Sequence, residues 1–188
     1  MHQEQSELLQ RIKSITKEST ELQIEYWKMY SDYETWQFWV IILLVIIPLI
    51  VLFFVIDRRN ILLLGFFGLN YHVWFHYINS VGIKLGLWEY PYQILPFLPS
   101  FALDAALVPI LFILVYQWTL KYQKNVYIYG IILSGILAFI MKPIMVSVDY
   151  FKMYEGVNYI HLFLFYVGLF LLSKLAASLF LHLQQKDK

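Results

Sequence analysis

The sequence predicts an all-α polytopic membrane helix bundle of five spans, and three observations predict it. First, 60% of the 188 residues are hydrophobic and only 14% are charged, against about 25% charged in an average soluble domain. Second, five apolar runs are separated by short polar or proline-rich connections, each run close to the roughly 20 residues a helix needs to cross a hydrocarbon core of about 30 Å. Third, 15 Tyr, 15 Phe and 6 Trp form the excess expected of aromatic girdles at two bilayer interfaces. The net charge is +1 and the basic residues are scattered, so no nucleic-acid partner is indicated; the lipid bilayer is the expected surrounding. There is no cysteine, which excludes disulfides, thiolate metal sites and thiol chemistry.

Residues 1–35 carry Arg11, Lys13, Lys17 and Lys28 against Glu4, Glu7, Glu18, Glu21, Glu25, Asp32 and Glu34, a net of −3. Leu8, Ile12, Ile15, Leu22, Tyr26 and Met29 fall at spacings of 4, 3, 7, 4 and 3, a heptad seam on one helix face. Two readings of residues 8–29 stay open: a contact with a protein partner or a second copy, and an amphipathic helix resting on its own protein or on lipid headgroups. The shortness of the seam favours the second. No cleaved signal peptide is expected, because the first apolar run begins late and no small-residue cleavage site follows it.

The membrane domain is expected over 36–181, with spans at about 38–56, 61–79, 101–118, 126–145 and 157–177 and a tail at 182–188. Pro48 sits mid-span in the first and should kink it. Between spans two and three lies a segment, residues 81–100, that contains Pro91, Pro96 and Pro99 yet is almost wholly apolar and aromatic. Proline removes backbone donors and disfavours helix before it, so an irregular aromatic segment at the membrane interface or folded among the spans is expected. Basic residues near span ends set orientation. Arg58, Arg59, Lys121, Lys124, Lys186 and Lys188 gather on one side with only Asp57 and Asp187, while the acidic N-terminal segment, Lys84, Glu89, Asp149, Lys152 and Glu155 fall on the other. The N-terminus is therefore expected outside and the C-terminus in the cytoplasm.

That topology converts position into depth at 1.5 Å per helical residue. His72, His76, Asp104, Lys142 and His161 all fall within about two turns of the outer surface, and Glu89 lies above them. Charged groups inside spans are costly and usually face protein or water. Two readings follow. In the first, these six residues form an outward-facing polar pocket under a lid of Trp88, Tyr90, Pro91 and Tyr92. In the second, each group is satisfied separately, with Asp104 and Lys142 pairing directly or through water and Glu89 as the rival partner for Lys142. His72 and His76 stand at i and i+4, a spacing that can chelate a metal, but two histidines lack a clear third ligand; no metal and no cofactor are assigned. There is no phosphate-binding glycine loop, nucleophile elbow or His-Glu-x-x-His motif.

With Asp57-Arg58-Arg59, then Gly82-Ile83-Lys84-Leu85-Gly86-Leu87-Trp88-Glu89-Tyr90-Pro91-Tyr92, then Pro96-Phe97-Leu98-Pro99, the chain resembles a family of small uncharacterised integral membrane proteins of spore-forming Gram-positive bacteria. The resemblance covers roughly residues 40–180 and implies a multi-span plasma-membrane protein, without catalytic residues. Gly86, Trp88, Tyr90 and Pro91 also show a fainter similarity to the membrane lycopene-cyclase domain. Ser100-Phe101-Ala102-Leu103-Asp104 stands where that family has paired glutamates, so the resemblance does not extend to its acid chemistry. Three functions are compatible with these features: a non-enzymatic accessory or sensor-type component, a small permease or ion pathway, and a membrane enzyme acting on a lipid or isoprenoid.

Overall fold

The computed structural model describes residues 3–154 and 156–186. Glu155, Asp187 and Lys188, used above for orientation, lie outside the described residues, and so do the side chains of Gln185 and Lys186. The chain forms α1 (Gln3–Tyr30), α2 (Trp36–Val55), α3 (Ile61–Lys84), α4 (Leu103–Lys121), α5 (Val126–Ser147) and α6 (Tyr159–Lys186), plus two short strands, β1 (Trp88–Glu89) and β2 (Lys152–Met153). Helices α2 to α6 are long and apolar enough to cross a membrane. The protein is thus an all-α multi-pass bundle, and the expected five spans are present.

Helix α2 begins at a Thr35 cap, whose hydroxyl accepts from the Phe38 amide, and runs unbroken through Pro48. It buries only Ile41, as a helix does when most of its surface meets lipid. Helix α3 continues past the expected end of span two, to Lys84, so the irregular segment starts later than residue 81. The stop is a glycine cap. Gly86 adopts φ +68, its amide bonds to the Ile83 carbonyl, and the Leu87 amide bonds to the Gly82 carbonyl. A left-handed residue with this pair of bonds closes a helix end most cheaply when it is glycine.

The core is aromatic and lies among α3, α4 and α6. The Tyr71 ring stacks on Phe112 at 4.4 Å, Phe112 on Phe170 at 5.7 Å, and Phe67 meets Tyr116 edge-on at 4.9 Å. Glycines let the backbones approach: a Cβ at Gly68 would collide with Ile113 of α4, and one at Gly130 with Phe170 of α6. Gly65, three residues before Gly68 on α3, has open space around it.

At one end of the bundle the chain between α3 and α4 folds over the helices. β1 pairs antiparallel with β2, Trp88 opposite Met153 and Glu89 opposite Lys152. Side chains alternate across a strand, which explains the order Trp88-Glu89-Tyr90. Trp88 and Tyr90 point in and are buried, while Glu89 points out and sits 3.9 Å from Lys152. Trp88 lies on Gly82, where any Cβ would overlap its ring. Gly82→Ala is expected to destabilise the protein by about 1–3 kcal/mol through overpacking, and Gly65→Ala to change it by less than about 0.5 kcal/mol. Thermal unfolding in detergent measures both, and equal effects would mean Trp88 does not depend on the gap at Gly82.

Helix α1 stands apart from the core and buries no residue. Its last turn is tied to the lid: the Trp27 indole and the Ser31 hydroxyl both donate to the Gln93 carbonyl, at 2.9 and 3.0 Å. Leu8, Ile12 and Ile15 of the seam are each more than half exposed. Leu22 and Met29 are as exposed, and with Tyr26 they line an open cleft between α1 and the lid.

Candidate functional site

The site begins with two prolines. Residues Leu103–Leu107 form a π-helical turn in which the Val108 amide reaches back to the Leu103 carbonyl. In that register the next donor would be residue 109, which is proline and has no N–H. The Asp104 carbonyl is left without a helical partner, and a buried carbonyl needs one. His72 supplies it, with Nδ1 at 2.8 Å. A carbonyl only accepts, so His72 carries a proton on Nδ1. The same device recurs in α5. Leu137–Met141 is a π turn, the Lys142 amide bonds to Leu137, and Pro143 follows. Each extra residue in a turn re-aims the side chains around it; Asp104 lies within the first turn and Lys142 directly follows the second.

Asp104 is buried, with its carboxylate accepting from the Ser100 hydroxyl at 2.6 Å, from His76 Nδ1 at 3.4 Å and from the Asn79 amide at 3.5 Å. Asn79 is oriented unambiguously, because its Oδ1 accepts from the Trp88 indole at 2.7 Å and an indole N–H can only donate. The Tyr90 hydroxyl donates to the same Oδ1 at 3.2 Å, and the Lys142 ammonium donates to the Tyr90 oxygen at 3.3 Å. A single directional chain therefore runs from Lys142 through Tyr90 and Asn79 to Asp104, every donor aimed toward the carboxylate. Burial pushes the Tyr90 phenol well above its usual range, so it remains a donor at any physiological pH. Lys142 is fully buried and its ammonium also lies 3.3 Å from the centre of the Phe151 ring, a cation–π contact in a desolvated place.

Asp104 and Lys142 are thus joined, but not as expected. Among the described residues they form no direct ion pair, and protein groups, Asn79 and Tyr90, stand where contact or water was expected. Glu89 is not the partner of Lys142; it faces outward and pairs with Lys152. His72 and His76 both reach Asp104 and share a side pocket of about 160 Å³ with Ser80, Ser100 and Phe101. His161 is exposed and accepts from the Asn158 amide at 3.2 Å in the cap of α6, outside the cluster. Of the lid residues, Trp88 and Tyr90 enter the chain and Pro91 is buried. Tyr92 packs on Tyr150 with ring centres 5.1 Å apart. Among the described residues no three His, Asp or Glu side chains are gathered so as to hold a metal ion.

Three members of the cluster are absent from the sequence reading: Asn79, Ser100 and Phe151. Asn79 was visible in principle. Residues 72, 76 and 79 lie on one helical face, and Asn79 is the third polar group on it. Ser100 stands four residues before Asp104, which is also a helical spacing. No sequence signal points to Phe151, which arrives from the β2 connection.

The cleft between α1 and the lid has a volume of about 700 Å³, with Leu22, Tyr26 and Met29 on one wall and Trp88, Tyr90 and Pro91 on the other. Its polar edge includes Glu25, Glu89 and Lys152. No protein-family model matches the chain, and no curated protein or solved structure matches it significantly.

Proposed function

We propose that the protein is a non-enzymatic, sensor-type component of a bacterial plasma membrane, with its N-terminus outside and its C-terminus in the cytoplasm, that receives an amphipathic ligand in the cleft beneath α1. The observation that carries this reading is the double membership of Trp88 and Tyr90. Both line the cleft and both belong to the chain that reaches Asp104 and Lys142 within the bundle. A ligand that moves either ring acts on two buried ionisable groups in two different helices. The cleft is of ordinary ligand size, and its lining mixes aromatic and aliphatic side chains with polar ones, among them Gln23, Glu25, Gln93 and Lys152. The resemblance to small multi-span proteins of spore-forming bacteria supports the plasma-membrane placement, and the basic residues at the far end support the orientation.

Two other readings fit less well. A permease needs a polar path across the bundle. Below the cluster lie Tyr71, Phe112, Phe67, Tyr116 and Phe170, packed ring on ring, and Phe67 is about 18 Å along α3 from Asn79. An enzyme protonating an isoprenoid is best served by neighbouring carboxylates, whereas Glu89 is engaged with Lys152 and Asp104 with Ser100, His76 and Asn79.

The test uses a photoreactive benzoylphenylalanine placed at Tyr26 in the cleft, at Ile12 on the free part of the seam, and at Phe54 on the exposed face of α2. Illumination of cells followed by intact-mass analysis is expected to give a small-molecule adduct at Tyr26 that is missing at Ile12 and Phe54. Adducts at Tyr26 no different from the phospholipid adducts at Phe54 would defeat the sensor reading. Orientation is checked separately, since the chain has no cysteine. Cysteine at Glu7 should react with an impermeant thiol reagent on whole cells and cysteine at Lys124 should not; the opposite result would invert the topology.

A further inference from the structure

We propose that the end of the bundle opposite the lid holds a specific site for one anionic phospholipid, in the groove between the start of α3 and the last turns of α6. The groove has a volume of about 550 Å³. Arg58 and Arg59 stand at its head, and its wall is Leu62, Phe66, Phe180 and Leu181. The Phe66 and Phe180 rings meet at 4.8 Å and make its floor. Leu62 is 86% exposed, so the groove opens to the side, where lipid chains lie, and not into the bundle.

Three features of the head select a negative group. Both arginines are exposed, and among the described residues neither makes an ion pair. The nearby acid, Asp57, is held by the Arg59 amide at 3.0 Å and the Asn60 side chain at 2.8 Å and offsets one of the two positive charges, so the head stays net positive. Asn60 is thereby drawn away from the helix it precedes and makes no capping bond. The first amides of α3 are left without a side-chain cap, at the positive end of the helix dipole. Guanidinium groups, free amides and an apolar wall running on from them match a phosphate ester with an acyl chain attached, which separates a phospholipid from a free phosphate. Basic pockets between membrane helices hold anionic headgroups in the same manner.

This site is independent of the cleft under α1, and its test is distinct. The purified full chain is titrated with phosphatidylglycerol, with phosphatidylcholine of identical acyl chains, and with glycerol phosphate, and bound lipid is counted by native mass spectrometry. One molecule of phosphatidylglycerol is expected to be retained in preference to phosphatidylcholine, with no effect of glycerol phosphate. Each arginine near an anionic headgroup contributes roughly fivefold in affinity, so Arg58→Gln with Arg59→Gln should cut retention by at least about fivefold. The pair Lys121→Gln and Lys124→Gln, at the same end but outside the groove, should leave it unchanged. Phe180→Glu should also abolish retention while the arginines remain. Equal retention of the two lipids, equal loss in the Lys121/Lys124 pair, or binding of glycerol phosphate in place of the lipid would each overturn the proposal. All substituted side chains are exposed, so folding of the variants is not in question.

Discussion

Replacing Asn79 by leucine is expected to destabilise the protein by about 4 kcal/mol or more, although the two side chains have nearly the same shape. A hydrogen bond to a charged group contributes about 1.5–3 kcal/mol, and a buried donor left without a partner costs about 1–3 kcal/mol. Asn79→Leu removes the bond to the Asp104 carboxylate and strips the acceptor from two donors, the Trp88 indole and the Tyr90 hydroxyl. All of these groups are buried, and the acceptor of both donors is Asn79 Oδ1. The loss should also be local. Trp88 and Tyr90 fasten the lid, so hydrogen exchange over 86–92 should accelerate before the spans are affected. Asn79→Asp separates the two ends of the chain. It keeps an acceptor for Trp88 and Tyr90 but turns the group facing Asp104 from donor to acceptor, so the lid should stay protected while the α3–α4 contact weakens. Reversible unfolding in detergent and exchange mass spectrometry measure these effects. If Asn79→Leu costs no more than an ordinary apolar exchange, below about 1.5 kcal/mol, the chain through Asn79 is not what holds the lid.

The bundle was legible because its signals are long. Span length, the bareness of five apolar runs and the cluster of prolines after Gly86 each integrate over many residues, and the structure has helices where they predict them. The layering of His72, His76, Asp104 and Lys142 near one end also follows from span positions alone. What the sequence did not carry is azimuth. Depth says that Asp104 and Lys142 lie at one level; it does not say which way each points. That depends on the two π turns before Pro109 and Pro143, since Asp104 lies inside the first and Lys142 directly follows the second. Asn79 was passed over as a span terminus, and its value appears only when Trp88 and Tyr90 fold back on it. His161 shows the opposite error, a titratable residue at the correct depth whose ring bonds to the amide of Asn158 in the α6 cap. Glu89 is the third case, since strand alternation turns it outward between two residues that turn in.

Neutralising both ends of the chain should cost less than the sum of neutralising each. Asp104→Asn keeps the shape but removes the negative charge and turns one of two accepting oxygens into a donor; Lys142→Met keeps most of the apolar stem but removes the positive one. Removing one member of a buried pair costs about 3–5 kcal/mol, because it leaves the other uncompensated. Here the partners are separated by Asn79 and Tyr90, and each has local help. The Ser100 hydroxyl and His76 serve Asp104, while Tyr90 and the Phe151 ring serve Lys142. The single effects should therefore fall toward the lower end of that range. Polarised chains of hydrogen bonds strengthen one another in a low-dielectric interior, so the charges should still be coupled, with an interaction energy within the 0.5–3 kcal/mol typical of one network. Swapping the charges is not expected to restore stability, because Tyr90 and Asn79 are arranged for a donor at the Lys142 end and an acceptor at the Asp104 end. Glu89→Gln serves as the comparison. Its pair with Lys152 is about half exposed, and such pairs contribute about 0–1 kcal/mol. The double-mutant cycle is read by unfolding in detergent. Additivity within about 0.3–0.5 kcal/mol would mean that each charge is satisfied where it stands, and that Tyr90 and Asn79 join the two helices without transmitting anything between them.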